Sequence, residues 1–132
     1  RHMPDYVVTK VADALNSECK AIKGSQILVL GVAYKPDVGD VRESPALDII
    51  QHLQKRGAQV SYHDPYVTDL AAEGLSMHSI QLTEGLLQQA DCVVVVTDHT
   101  TYDWDQIADQ ASLIVDTRNA MKGRGNGRVV TL

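Results

Sequence analysis

Two cations lie in the loop that follows the first apolar run of the chain. Lys35 and Arg42 stand between the run 27–32 and the Ser44-Pro45 pair, which marks the start of a helix. Ligands of open α/β sheets bind outside the carboxyl ends of the strands, and helix N-termini attract anions. These residue types and their spacing therefore predict an anion site that would suit a phosphate.

Ion pairing within the loop is the competing interpretation of the same cations. Lys35 and Arg42 have three acidic neighbours in sequence, Asp37, Asp40 and Glu43. Exposed pairs of this kind are common and contribute little to stability. The residues alone leave both interpretations open.

The elements that must position this loop alternate between strands and helices. The Cys92–Val96 run is too continuously apolar to be half exposed, so helices are expected on both faces of the sheet. The alternation predicts a Rossmann-like three-layer α/β sandwich, with a mostly parallel, doubly wound sheet of about five or six strands. An N-terminal helix over residues 4–23 precedes it, with Gly24 as its end.

The predicted elements follow from apolar period, caps and breakers. The strands are 27–32, 59–63, a weak third one at 79–82, 92–96 and 113–116, with either an edge strand or a frayed tail at 129–132. Helices are predicted after Ser44 as far as Lys55, at 68–73, from Thr83 to about Gln89, and after Asp103.

Length and composition limit the class of protein. A chain of 132 residues is one domain, with a formal net charge of −5 and no basic run, which argues against nucleic acid as a partner. No apolar segment approaches the roughly 20 residues of a membrane helix, and no apolar run near residue 1 predicts a secretory signal. Cys19 and Cys92 form neither a disulfide framework nor a zinc motif, so a cytoplasmic setting is expected. Residues 1–3 are interpreted as either a cloning remnant or partly native.

Two histidine–aspartate pairs could suggest a metal site. His63-Asp64 and Asp98-His99 follow different strands, however, and lack a third ligand at a recognisable spacing. We therefore predict no metal. His99 is expected either to cap the following segment or to line the pocket at the carboxyl edge.

The turn after the first strand also argues against a dinucleotide site. Gly31 is followed by no second or third glycine of the dinucleotide fingerprint. About a dozen residues separate the strand from its helix, too many to hold a pyrophosphate tightly on the helix start. This domain is therefore not expected to be the primary NAD site.

Four segments together resemble a known family. They are GVAYKPDVGDVRESPALDII at 31–50, GAQVSYHDPY at 57–66, DCVVVVTDH at 91–99 and DTRN at 116–119. In this order they resemble the C-terminal, UDP-binding domain of the UDP-glucose/GDP-mannose dehydrogenase family. The resemblance runs from Met3 to about Arg128, and is closest to bacterial enzymes that act on UDP-N-acetylhexosamines.

The resemblance implies roles for four residues. Tyr34 and Lys35 match the family's aromatic-lysine pair that lines the UDP pocket, and Arg118 matches an arginine that contacts the nucleotide. Arg42 matches a position that faces the interdomain cleft on the cofactor side. Without the resemblance, an ion pair with Asp116 or with another acid near the strand end is the favoured interpretation of Arg118.

The resemblance also implies what the parent protein does. It would be an NAD-dependent nucleotide-sugar 6-dehydrogenase, in which residues 24–132 bind the UDP-sugar. The domains that bind NAD and carry the catalytic residues would lie outside this sequence, so the fragment has no catalytic residue and no activity alone. Its expected partners are a UDP-sugar, its own N-terminal NAD domain and further copies in a homo-oligomer. A non-catalytic assembly domain of α/β fold is the alternative.

Overall fold

The computed structural model describes residues 3–125 and 128–132, so Arg1 and His2 of the predicted cloning remnant lie outside the described residues. Four helices form: α1 (Met3–Ser17), α2 (Ala46–Lys55), α3 (Glu84–Gln89) and α4 (Trp104–Gln110). A 3-10 turn occupies Ala71–Glu73 within the predicted short helix. The strands are β1 (Gln26–Leu30), β2 (Gln59–His63), β3 (Cys92–Val95), β4 (Ile114–Asp116) and β5 (Val129–Thr131).

The strands form one five-stranded sheet in the order β2-β1-β3-β4-β5. Each neighbouring pair is parallel, with Val29 beside Tyr62 on one side and beside Val94 on the other. The predicted Rossmann-like α/β fold is confirmed. Because the strand order reverses between β1 and β3, the carboxyl ends of these two strands define the place where such sheets open a crevice.

Helices cover both faces of the sheet, as the uninterrupted apolar strands predicted. Ile27 and Val29 belong to the core cluster that contains α1 and α2, whereas Leu28 and Leu30 belong to the cluster that contains α3 and α4. All four side chains are buried. A strand buried on both faces has no polar side, which is why β1 and β3 read as continuous apolar runs.

Helix α1 ends at Ser17, whereas the sequence pattern predicted a helix as far as residue 23. The backbone turns left-handed at Cys19, with φ 62°. The N–H of Lys20 then donates to the Leu15 carbonyl at 2.9 Å, the bond that closes a Schellman-type helix end. Ile22 is buried all the same, so its apolar character belongs to the connection and not to the helix.

The predicted strand at 79–82 was also wrong. Within the part of the chain that the structure describes, Ser79 makes only an isolated parallel bridge to Tyr62. The Ile80 N–H donates to the Tyr62 carbonyl at 2.9 Å, and the Ser79 hydroxyl accepts the Asp64 N–H at 2.9 Å. Ser79 thus closes the turn after β2 and extends no ladder.

The side-chain caps predicted at Thr83 and Asp103 form, and the two cysteines lie apart. Thr83 accepts the Leu86 N–H at the start of α3, and Asp103 accepts the Gln106 N–H at the start of α4. Cys19 is exposed, whereas Cys92 is buried in β3, where burial raises the pKa of its thiol to about 12. None of the described helices is long and apolar enough to cross a membrane.

Candidate functional site

The loop between β1 and α2 spans residues 31–45 and folds back on itself at the carboxyl edge of the sheet. The Tyr34 N–H donates to the Asp40 carbonyl at 2.7 Å, which closes the loop. Asp37 and Glu43 both adopt left-handed backbone conformations, with φ 66° and 67°. The Ser44 hydroxyl accepts the Ala46 N–H at 3.1 Å and so leads into α2. We call residues 31–45 the β1 loop.

The start of the β1 loop is fixed by a buried carboxylate from the end of β2. Asp64 is 2 % exposed, and its Oδ2 accepts the N–H groups of Val32 and Ala33 at 2.8 and 3.2 Å. His99, which follows β3, donates from Nε2 to the same oxygen at 2.9 Å. These contacts tie the start of the β1 loop to the end of β2 and to the segment after β3.

Arg118 joins the loop after β4 to the β1 loop. Its Nη2 donates to the Tyr34 carbonyl at 3.1 Å, and its Nη1 lies 3.6 Å from Oδ1 of Asp98. Asp116 accepts the backbone N–H of Arg118 at 3.0 Å, and among the described contacts the guanidinium group pairs with Asp98. The ion pair favoured from the residues alone therefore forms, with Asp98 near the end of β3 and not with Asp116.

The turn that carries Arg118 is organised by the buried Asp116 side chain. Its Oδ1 accepts the N–H groups of Arg118 and Ala120 at 3.0 and 3.1 Å, and its Oδ2 accepts that of Met121 at 2.9 Å. Three N–H donors on one carboxylate hold the backbone of this turn and so fix the position of the Arg118 backbone.

Tyr34 and Lys35 are exposed at the same edge as Arg118. Tyr34 keeps half of its surface in solvent, although its carbonyl is bonded to Arg118. Lys35 is exposed and has no hydrogen bond or ion pair with the described residues. The structure thus brings together the three residues that the resemblance assigned to nucleotide binding, with two cationic groups available to an anion.

Arg42 has the loop partner that the competing interpretation expected. Its Nε and Nη2 donate to the two carboxylate oxygens of Asp40 at 3.0 and 2.9 Å. These hydrogen bonds lower the pKa of Asp40 to about 2 and raise that of Arg42. The Arg42 side chain remains 82 % exposed, beside a groove of about 350 Å³ that Tyr34 and Glu43 also line. Arg42 therefore lies in a groove beside Tyr34 with most of its side chain in solvent.

A second groove lies beside Arg118. Asp98 borders this space of about 210 Å³ together with Thr100, Trp104 and Lys122. Oδ1 of Asp98 is buried and, among the described residues, has no hydrogen-bond partner. Its attraction to the Arg118 guanidinium at 3.6 Å reduces the cost of burying it.

The histidine–aspartate pairs have structural partners. His99 bonds to Asp64 and is completely buried, whereas His63 bonds through Nδ1 to the Tyr102 hydroxyl at 3.1 Å. His99 therefore neither caps the following segment nor lines an open pocket. No group of three or more His, Cys, Asp or Glu side chains in residues 3–125 and 128–132 is arranged to hold a metal ion.

Burial of His63 makes the domain sensitive to mild acid. Loss of solvation lowers the pKa of His63 below its ordinary value of 6.5. Between that value and the lower pKa of the folded state, the unfolded chain binds a proton that the folded chain does not. We therefore expect the free energy of unfolding to fall as pH is lowered from 7.5 to 5. In urea unfolding across this pH range, the unfolding free energy of His63→Gln should fall less steeply than that of the unsubstituted domain. Equal pH dependence in the two proteins would show that His63 is not responsible for the acid sensitivity.

Packing requires a glycine directly after β1. Gly31 has φ +82°, and a Cβ placed there would lie 2.6 Å from the Thr97 carbonyl oxygen. It therefore permits close approach of the chain after β3. The loop that follows lacks the second and third glycines that hold a pyrophosphate in the dinucleotide fingerprint.

Sequence reasoning missed the buried groups beneath the exposed cations. Asp64 and Asp116 both come directly at the carboxyl ends of strands, where aspartate often accepts loop N–H groups. Their position at the strand ends was therefore the sequence signal that could have identified these two buried aspartates. The partners of His99 had no sequence signal, because they lie 35 and 62 residues away along the chain.

Comparison with known proteins agrees with the resemblance. The model for the UDP binding domain of the UDP-glucose/GDP-mannose dehydrogenase family matches residues 28–123. A UDP-N-acetyl-D-mannosamine dehydrogenase of Methanococcus vannielii is 32% identical over 127 residues, which cover 90% of this chain and 28% of that protein. A UDP-glucose 6-dehydrogenase of Rhizobium meliloti is 35% identical over 112 residues, covering 74% of this chain and 24% of that protein.

Solved structures show the same relationship. A UDP-D-ManNAc dehydrogenase from Pyrococcus horikoshii superposes with a TM-score of 0.81 at 27% identity, over 98% of this chain and 30% of that one. The chain thus spans less than a third of the length of these relatives. Because the family model covers most of the chain, including both loops at the carboxyl edge, the chain belongs to the UDP-glucose/GDP-mannose dehydrogenase family and corresponds to its UDP binding domain.

Proposed function

We propose that this domain binds the nucleoside diphosphate part of a UDP-sugar, with Lys35 and Arg118 on the phosphates and Tyr34 beside the base or sugar. The observation that carries the proposal is the hydrogen bond from the Arg118 guanidinium to the Tyr34 carbonyl at 3.1 Å. This bond joins the loops after β1 and β4, so Arg118 lies next to the backbone of Tyr34, the residue that precedes Lys35.

The electrostatics of this edge support an anionic ligand. Lys35 makes no ion pair with a described residue, although its charge, with the larger effect of the Arg42 hydrogen bonds, lowers the pKa of Asp40. The Arg118 contact to Asp98 is long at 3.6 Å. The negative charge of a diphosphate would attract both cationic side chains. Arginine adds a planar fork that donates two parallel hydrogen bonds to phosphate oxygens.

Arg42 has a separate role in the proposal. With Tyr34 it lines the groove that we assign to the cofactor side of the interdomain cleft. Its bidentate bonds to Asp40 hold the guanidinium in place before any ligand arrives.

The whole protein would be an NAD-dependent nucleotide-sugar 6-dehydrogenase that works in the cytoplasm as a homo-oligomer. NAD, bound by the N-terminal part, would supply the hydride acceptor for oxidation of the sugar C6 alcohol to a carboxylate. The present domain would hold the substrate diphosphate and close over the cleft, and would carry no catalytic residue. The relatives named above suggest a UDP-N-acetylhexosamine as the sugar nucleotide, with UDP-glucose as the alternative.

Titration with UDP tests the binding proposal. We expect saturable NMR shifts of the amides at 34–44 and around Arg118, and weaker effects from GDP. Lys35→Ala and Arg118→Ala should each weaken UDP binding about 10-fold to 100-fold, the effect of losing one charge-assisted hydrogen bond.

Lys23→Ala and Arg56→Ala are matched controls for the titration. Both residues are exposed and directly precede β1 and β2, so they lie at the opposite edge of the sheet. They should leave UDP affinity unchanged. Equal losses in all four variants would indicate nonspecific attraction, and no shifts up to millimolar UDP would favour the assembly alternative.

A further inference from the structure

The buried His99 side chain connects the two ends of the segment that carries Tyr34 and Lys35. Its imidazole is completely inaccessible to solvent and packs against the rings of Tyr66 and Tyr102, with centroids 4.8 and 5.8 Å away. A buried polar ring needs a hydrogen bond at each nitrogen. Both nitrogens of His99 have one, and their partners lie on different parts of the chain.

The two hydrogen bonds of His99 have opposite polarity. Nδ1 lies 2.8 Å from the backbone nitrogen of Asp37, whose N–H must donate, so Nδ1 accepts and carries no proton. Nε2 lies 2.9 Å from Oδ2 of Asp64, an oxygen that already accepts two backbone N–H groups, so Nε2 donates. This geometry assigns the neutral Nε2–H tautomer.

The far end of the segment is fixed through Asp37. Its backbone is left-handed at φ 66°, and its carboxylate accepts the N–H and the hydroxyl of Thr100 at 2.8 and 3.1 Å. The near end is fixed through Asp64, which binds the N–H groups of Val32 and Ala33. His99 is the one side chain described that bonds directly to both anchors.

We propose that His99 is a positioning residue for the nucleotide site, and that its Nδ1 sets the placement of Lys35 by accepting the Asp37 N–H. The inference rests on the proposed function, since it names what holds the Tyr34-Lys35 pair in place. It assigns a role to a residue that cannot touch a ligand. Its effect on binding therefore passes entirely through the β1 loop.

A pair of substitutions separates the two nitrogens. The side-chain amide of asparagine reaches the position of Nδ1, so His99→Asn can offer an oxygen to the Asp37 N–H but no donor to Asp64. The amide of glutamine reaches the position of Nε2, so His99→Gln can donate to Asp64 but leaves the Asp37 N–H unbonded. Both lose the ring, so a role in packing alone predicts similar effects.

We expect His99→Gln to weaken UDP binding about tenfold, the equivalent of one net hydrogen bond. His99→Asn should bind within about threefold of the unsubstituted domain by the same reasoning. Hydrogen exchange of the Asp37 amide should be faster in His99→Gln than in His99→Asn. Equal UDP affinities for the two variants, or an order that follows their unfolding free energies alone, would overturn the proposal.

Measurements on the unsubstituted domain decide the matter if neither variant folds. The 15N spectrum of the His99 ring should show an unprotonated Nδ1, and UDP should slow exchange of the Asp37 amide, because the ligand favours the ordered loop. A proton on Nδ1, or an Asp37 amide unaffected by saturating UDP, would refute the role of His99. Failure of the unsubstituted domain to bind UDP would instead count against the proposed function itself.

Discussion

Gly31→Ala is expected to destabilise the domain by about 3 to 5 kcal/mol, enough to leave much of it unfolded. Two effects add at this position. The backbone φ of +82° is unfavourable for any residue with a Cβ, and the added carbon would lie 2.6 Å from the Thr97 carbonyl oxygen. The contact is with the buried backbone of Thr97, just after β3, which cannot move without shifting the sheet.

Gly74→Ala is the matched control for this substitution. Gly74 also has a positive φ, +84°, but a Cβ there would meet nothing within 4 Å. Its cost should be limited to the backbone term, about 1 kcal/mol. Comparing the unfolding free energies of both variants in urea separates the cost of the positive φ from the cost of the steric contact with Thr97. Similar losses at the two sites would show that the approach of Thr97 to Gly31 contributes nothing.

Asp116→Asn is expected to cost about 2 to 4 kcal/mol and to weaken UDP binding. The amide keeps the shape of the carboxylate but replaces one acceptor oxygen by an NH₂ group. At least one of the backbone N–H groups of Arg118, Ala120 and Met121 then faces a donor in a buried place. The turn would relax and release Arg118 from its position beside Tyr34.

The same chemical change at an exposed cap provides the comparison. Asp103 accepts the Gln106 N–H at 3.1 Å at the start of α4, and asparagine caps helices as well as aspartate does. Asp103→Asn should therefore change the unfolding free energy by less than about 0.5 kcal/mol. If Asp116→Asn proves equally mild, the three N–H contacts are not what holds the Arg118 turn.

The arrangement of strands and helices was predictable because local signals agreed with the global fold. Continuous apolar runs gave β1 and β3, and the Thr83 and Asp103 caps gave the starts of α3 and α4. The errors arose where a tertiary contact replaced a local one. Ile22 is buried outside any helix, and Ser79 uses its hydroxyl on the Asp64 turn.

The exposed part of the site was easier to predict than its support. Residue type and the family motif singled out Tyr34, Lys35 and Arg118, whose assigned roles stay predictions until nucleotide binding is measured. The partner of Arg118 could not be read from spacing, because Asp98 is distant in sequence whereas Asp116 is adjacent. Proximity along the chain is a poor guide to pairing once strands bring remote loops to one edge.

The wide separation of the loop anchors also determines when the site can form during folding. The β1 loop is bonded to Asp64, His99 and Arg118, and its bonds span 31 to 84 residues along the chain. No segment short of residue 118 contains all of these partners, so a nascent chain emerging from the ribosome cannot assemble the site early. Contacts of such high sequence separation form slowly and late. On the proposed function, a nucleotide would bind only the fully folded domain, so ligand binding would not stabilise partly folded chains.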